Sequence, residues 1–439
     1  MTGERPTEFD RSTGDDRAID LRRDAGTNFD ESHGESWTMF VAGDYVIQRD
    51  DPPTPETTIA PALRERIAAA DVSIVNFEAP LVGDDATGVP KSGPVIANHD
   101  EAGRAVAGSG FDVCTLANNH VRDYGPEGVA STVRALEAVD LETVGVGKTH
   151  DDAFEPIDVG RRGAAVGLVN VCEREFNIAG EGSYGAAWLS DRRAREGIRR
   201  AADEYEAVVA VVHGGMEYVP FPPPEFQRRL REFVDLGADL VIAHHPHVPQ
   251  GWETYGDGAI FYSLGNFLFD SMADSENASW GIALEVRFED ATPVAVELVP
   301  TETIDGVVHP LGERRDPVEH LAYLRRLSEI TADPETLEPY WQEVAIQLML
   351  ERYSNWLHTG CGTSLLRAQA APNDPEVQRP LWDLETRRKE ILTLLTIVRM
   401  ESHRWTMTEA LAVLAGETED RRTPEIQAEA RELLARAAR

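Results

Sequence analysis

From residue 37 to about residue 300, short apolar runs alternate with helix-length amphipathic segments, the pattern of βαβ units built around a parallel sheet. Six runs, at 39–42, 72–75, 113–116, 208–212, 240–243 and 260–264, are rich in β-branched or aromatic residues and short enough to be buried strands. Further strands are expected at 164–171, 282–288 and 294–299. Helices are predicted between them at 60–70, 100–108, 126–139, 191–204 and 224–236; Pro126 followed by Glu127 opens one, and Gly237 follows the last. Beyond Asp316, apolar residues at three- and four-residue spacing predict helices at 317–329, 337–356, 377–399, 408–414 and 424–438. The expected organisation is an acidic, aperiodic and disordered arm (1–36), an α/β domain (37–315) and a helical C-terminal region (316–439).

Composition changes this picture at the surface. The 439 residues carry a net charge of -35 over an ordinary 42% hydrophobic content, so the excess carboxylate lies outside a normal core. Lys91, Lys148 and Lys389 are the only lysines. This points to adaptation to high salt, where a Debye length of about 3 Å at 1 M screens self-repulsion. A surface this acidic excludes sequence-independent nucleic-acid binding, which draws on Lys and Arg. Cys114, Cys172 and Cys361 are too few and too scattered for a disulfide framework or a thiolate zinc site, and suit a reducing compartment. Residues 1–36 lack the apolar core of a signal peptide, so Arg22-Arg23 is not an export signal. The apolar stretch 391–398 is broken by Thr393 and Thr396 and falls far short of the ~20 residues that span a bilayer. A cytoplasmic protein with no integral membrane segment is expected.

The candidate chemistry sits where the strands end. In open α/β sheets ligands bind at the carboxyl ends of strands, and the six runs are followed by Gly43-Asp44, Asn76-Phe77-Glu78, Asn118-Asn119-His120, His213-Gly214-Gly215, His244-His245-Pro246-His247 and Gly265-Asn266. Residues two apart in extended chain point the same way, so His245 and His247 are expected to face one cation pair, with Pro246 stiffening the segment. Asp44 alone also reads as a turn cap, Asn118-Asn119-His120 as an Asn-rich turn, and Glu78 as a solvated loop residue. Carboxylate oxygens with imidazole nitrogens suit Mn, Zn or Fe, and the absence of thiolate fits a catalytic metal site. His99 lies outside the strand exits, and His244 is expected to point away from its neighbour.

In this order, with Gly110-Phe111-Asp112, Ala117 to Gly125, His213 to Tyr218, Gly237-Ala238-Asp239 and Tyr262 to Phe267, the motifs resemble the CapA family of capsule and poly-γ-glutamate synthesis. That family is similar to the calcineurin-like metallophosphatases. The resemblance implies a four-layer αββα sandwich with two divalent metal ions, the helical C-terminal region lying outside it. It implies that Asp44 and His247 serve one metal, that Asn119, His213 and His245 serve the other, and that Glu78 bridges them. His120 is then a catalytic acid with Asp123 as its orienting partner, and Lys91, Asn118, Arg122 and Asn266 are substrate-binding candidates. Lys91 and Arg122 also read as exposed, salt-bridged cations. Two departures from the wider superfamily weaken the first metal site: Asp44-Tyr45-Val46 lacks the imidazole of an Asp-x-His pattern, and Glu78 stands where the bridging Asp belongs. The leading expectation is hydrolysis of a phosphoester in an anionic small molecule or polymer. A non-catalytic polyanion-binding or scaffold subunit with capsule-synthesis partners, and an amide hydrolase of poly-γ-glutamate, are the alternatives.

Overall fold

A strand that is apolar on both faces needs cover on both sides, and Ala207–His213 shows how this chain supplies it. Val209 and Val211 enter one core, while Val208, Ala210 and Val212 enter another. The first core is shared with Met39, Val41, Val72, Ile74 and Val113 of a second sheet, so two sheets pack face to face. Behind that second sheet, Phe40, Ala42, Val75 and Phe77 pack against Leu63, Ile67, Val106, Val129 and Leu136 of three helices. Behind the first, the outward residues meet Ile198, Phe226, Leu230 and Phe233. The arrangement is the expected α/β, four-layer αββα sandwich. The computed structural model describes residues 17–22, 35–83, 85–361 and 374–438.

Among the described residues one sheet has nine strands and the other six. Seven strands of the larger run in the order Ala18–Asp20, Thr292–Ile304, Trp280–Glu289, Ser36–Val46, Val72–Phe77, Val113–Thr115, Glu142–Val144, while Asn266–Phe269 pairs with Ser36–Val46 and Val307–Pro310 with Thr292–Ile304. The smaller runs Trp252–Tyr255, Gly258–Phe261, Leu240–His244, Ala207–His213, Val166–Cys172, Ile157–Asp158. Ser36–Val46 through Glu142–Val144 are parallel neighbours, as are Val166–Cys172 through Gly258–Phe261. Each block therefore gathers its strand exits along one edge.

All six apolar runs are strands, but the last divides. Its strand stops at Phe261, and Gly265 (φ 70°) turns the chain into Asn266–Phe269, which pairs parallel with Ser36–Val46 of the other sheet. The chain thus crosses between sheets at the shared edge. Within the arm expected to lack structure, Ala18–Asp20 pairs antiparallel with Thr292–Ile304, while residues 1–16 and 23–34 lie outside the described residues. Three residues are too few to display a period.

The C-terminal region is helical at Pro317–Ala332, Pro334–Leu348, Ser354–Cys361, Leu384–Arg399, Glu401–Ala415 and Pro424–Ala437. Leu324, Leu327, Trp341 and Val344 join the core between the sheets. The helix expected over 377–399 is divided into the short helix Pro375–Gln378, a 3-10 turn at Arg379–Trp382 and the long helix Leu384–Arg399, which the Asp383 side chain opens by accepting from the Glu385 N–H as an N-cap. Between two other helices Met349–Tyr353 forms a π-turn. Among the described residues no helix is long and apolar enough to cross a membrane. Cys114 and Cys172 are buried and unpaired; the Cys361 side chain lies outside the described residues.

Candidate metal centre

The strand exits of both sheets meet at one place. Asp44, Glu78 and Asn119 come from the larger sheet, and His213, His245 and His247 from the smaller; all six are buried. Ligand atoms of Asp44, Glu78 and His247 lie within 4.8 Å of one another, as do those of Glu78, His213 and His245, so Glu78 belongs to both groups. His213 Nε2 is 3.4 Å from Glu78 Oε1, 3.1 Å from Asn119 Oδ1 and 3.2 Å from His245 Nδ1. His247 Nδ1 is 3.3 Å from Asp44 Oδ2, and its Nε2 is 3.9 Å from Glu78 Oε1.

Two backbone devices aim these groups. A register shift between Ala42 and Asp44 places a bulge at Gly43, whose added Cβ would stand 2.1 Å from the Gly265 carbonyl oxygen; only glycine allows the Asp44 N–H to reach that oxygen, at 3.2 Å. The second is the His245-Pro246-His247 segment. It is not the extended chain the spacing implied: His245 and His247 have φ of 101° and 59°, a left-handed bend costing about 1–3 kcal/mol for each residue. Tertiary contacts, not strand geometry, bring the two imidazoles together.

The donor set fits a divalent cation. Both oxygens of Glu78 and Oδ2 of Asp44 are buried with no hydrogen-bond partner among the described residues, an arrangement that costs stability unless a positive ligand faces them. Burial pushes Glu78 up to about 8, and the charge of Asp44 adds to this. Burial would raise Asp44 too, but the His247 imidazole 3.3 Å from its Oδ2, with His213 and His244 nearby, holds it well below the carboxylate range. Burial lowers His213 and His245 to about 3, leaving neutral imidazoles. It would also lower His247, yet the Glu78 and Asp44 carboxylates lift that residue to about 10.

Beside this cluster lies a second network. His120 Nδ1 is 2.7 Å from Asp123 Oδ2, and Lys91 Nζ donates to Asp123 Oδ1 at 2.7 Å and pairs with Glu175 at 3.5 Å. Lys91 is salt-bridged but not exposed, contrary to the plain expectation for a lysine. Arg122 donates to Ser183 Oγ (2.7 Å) and the Ile178 carbonyl (3.4 Å), away from the cluster. Asn118, a substrate-binding candidate, is engaged within the protein: Oδ1 accepts from the His120 and Val121 N–H groups and Nδ2 donates to the Phe77 carbonyl, which holds the turn. Asn266 likewise supports the site, with Oδ1 3.0 Å from His247 Nδ1 and Nδ2 donating to the Ala278 carbonyl.

Three contributors escaped the sequence reading. His244, expected to point away from its neighbour, lies opposite His213 in register with Nδ1 3.7 Å from Asp44 Oδ1. Asn76 Nδ2 donates to Asp44 Oδ1 at 2.8 Å and sits 3.2 Å from His213 Nδ1. Its place two residues before Glu78 was the available signal. The third is the C-terminal region: Ser402 Oγ donates to Glu173 Oε2 at 2.8 Å, and Arg399 Nη1 donates to the Glu175 carbonyl at 2.9 Å.

Among proteins similar to this one, the capsule biosynthesis protein CapA of Bacillus anthracis is 31% identical over 249 residues, 55% of this chain and 60% of its own length. The PGA biosynthesis protein CapA of Bacillus subtilis (strain 168) is 31% identical over 206 residues, 46% of this chain and 54% of its own. A probable polyglutamine synthesis accessory protein of Mycobacterium tuberculosis is 28% identical over 285 residues, 60% of this chain and 72% of its own. The chain thus spans no more than 60% of the length of the two Bacillus relatives. A crystal structure of 5'-nucleotidase from Candida albicans covers 66% of this chain and 54% of its own at 13% identity, with a TM-score of 0.37, too slight a likeness to argue from. Residues 38–271, more than half of the chain and holding every residue of the cluster, match the family described as bacterial capsule synthesis protein PGA_cap. The chain belongs to that family, as its ordered motifs implied.

Proposed function

We propose that this protein is a metal-dependent hydrolase of phosphoesters, and the observation that carries the reading is the Glu78 carboxylate, buried and unpartnered where two ligand groups share it. In this reading Asp44, His247 and Glu78 hold one divalent cation (Mn, Zn or Fe) and Glu78, Asn119, His213 and His245 hold a second. Such cations supply Lewis acidity and lower the pKa of water toward neutrality. The chain's own groups do the rest. Asn266 and Asn76 orient the ligands His247 and Asp44. His120 gives a proton to the departing oxygen as the P–O bond breaks, with Asp123 fixing its ring and Lys91 fixing Asp123.

The test is hydrolysis of bis(p-nitrophenyl) phosphate by protein loaded with manganese, beside the His213→Ala variant. Turnover by the wild type that falls at least about 100-fold in the variant supports the reading; a rate unaffected by the substitution removes it. A second reading, hydrolysis of amide bonds in an anionic polymer, draws on the relatives' names, which speak of PGA biosynthesis and polyglutamine synthesis. Release of glutamate from poly-γ-glutamate with no phosphoester turnover favours it.

A further inference from the structure

The left-handed bend at His245 and His247 persists only if neighbouring chain holds it, and the segment that follows His213 does so from one side. Gly214 N–H donates to the His244 carbonyl at 3.0 Å and Tyr218 N–H to the Pro246 carbonyl at 2.9 Å, so residues 214–218 lie along the bend as a strap. The Tyr218 ring is 5.7 Å from that of His247. Tyr218 is itself left-handed, with φ of 59°, so the strap needs a support of its own.

That support comes from the C-terminal region. Within the π-turn Met349–Tyr353, Arg352 Nη2 donates to the Glu217 carbonyl at 3.4 Å and Tyr353 Oη lies 3.7 Å from Met216 Sδ. Phe221, just beyond the strap, meets the Tyr340 ring edge-on at 5.8 Å. Tyr353 Oη in turn is 2.8 Å from Nδ1 of the buried His403. Next to His403, Ser402 donates to Glu173, whose own N–H donates to the His213 carbonyl at 2.9 Å. These contacts close a ring, from His213 through Glu173, Ser402, His403, Tyr353 and Met216 to the strap, and across it to His245 and His247. Burial opposes charge on Glu217, yet His245 and His247 of the bend, with Arg352 and His403 of the C-terminal region, hold it down at about 2, in agreement with a place between the two.

We infer that Arg352 and Tyr353 are positioning residues for the metal ligands: through the strap they keep the His245–His247 bend aimed at the cluster, so that metal affinity is set in part by helices outside the family-matched residues 38–271. The inference rests on the metal-binding part of the reading above and not on which bond is cleaved. A purely electrostatic role for Arg352 has the opposite sign. A guanidinium repels cations, so its removal would tighten metal binding if charge alone mattered; removal of a support loosens it.

The test is calorimetric titration of manganese into the full metal-free chain. Arg352→Met is expected to weaken binding at least about fivefold, and Arg352→Lys, which keeps a donor for the Glu217 carbonyl, to stay within about twofold of the wild type. Arg352 is half-buried, and metal-free Arg352→Met should melt within about 3 °C of the wild type, which separates lost positioning from lost stability. Tyr353→Phe removes the hydroxyl and keeps the ring; it is expected to weaken binding by a similar factor and to shift the visible absorption of the cobalt-loaded protein, because the ligand geometry changes. Manganese affinity that is unchanged or higher in Arg352→Met and unchanged in Tyr353→Phe overturns the inference and leaves the hydrolase reading standing. Affinity that falls as described in a protein that cleaves no phosphoester supports the inference and removes that reading.

Discussion

A buried carboxylate without a hydrogen-bond partner destabilises the fold around it, and both oxygens of Glu78 are in that condition among the described residues, at the junction of the two ligand groups. The imidazoles around it are held as tightly. His247 owes its orientation to Asn266, so Asn266→Ala is expected to weaken manganese binding about 10–100-fold in equilibrium dialysis while the far-UV spectrum stays unchanged. Protonation is set by the same burial. In metal-free protein at pH 7, Glu78, pushed up to about 8, and His247, lifted to about 10, each retain a proton, whereas His213 and His245, lowered to about 3, retain none. A metal takes the deprotonated forms, so binding expels protons and affinity rises with pH, steeply up to about 8 and less steeply from there to about 10. Calorimetry in buffers of different ionisation enthalpy should report about two protons released at pH 7 and fewer above pH 8; no proton release would mean that these two groups are not ligands.

The strand ends were legible because burial on both faces forces continuous apolar runs, and the polar residues just past such a run must stand at the sheet edge. That reasoning placed Asp44, Glu78, Asn119, His213, His245 and His247 together. It could not orient them. The contact of His244 with Asp44 was missed because alternation along Leu240–His244 says which residues share a face but not that Asp44 of the other sheet lies opposite. The bend at His245 and His247 was equally illegible, since a left-handed backbone outside glycine is imposed by distant contacts and leaves no mark in periodicity. Nor did the run at 260–264 reveal its crossing, which depends on Gly265 lying against Gly43. Gly43→Ala tests this packing directly. With a Cβ 2.1 Å from a carbonyl oxygen the strand must shift, and urea unfolding is expected to show a loss of about 1–3 kcal/mol together with weakened metal binding. An unchanged midpoint would show that the crossing has slack.

The C-terminal helices were readable as helices but their contacts beside the cluster were not, because Arg399 and Ser402 reach Glu175 and Glu173 across 224 and 229 residues of sequence. Arg399 and Ser402 reach the segment Glu173 to Phe176, which also carries the partner of Lys91. The molecule as a whole carries a net charge of -35, and its surface ion pairs offset little of that repulsion. Thermal unfolding should therefore be salt-dependent: raising KCl from 0.1 to 2 M shortens the Debye length from about 10 Å to under 3 Å and is expected to raise Tm by about 5 °C or more. A Tm indifferent to salt would remove the high-salt reading of the composition. Everything claimed for the centre depends on Glu78 serving two cations. Titration of manganese into metal-free protein, followed by calorimetry and by metal analysis of the product, is predicted to give two equivalents bound, with Glu78→Ala losing both; no saturable binding, or binding that Glu78→Ala leaves intact, would contradict it.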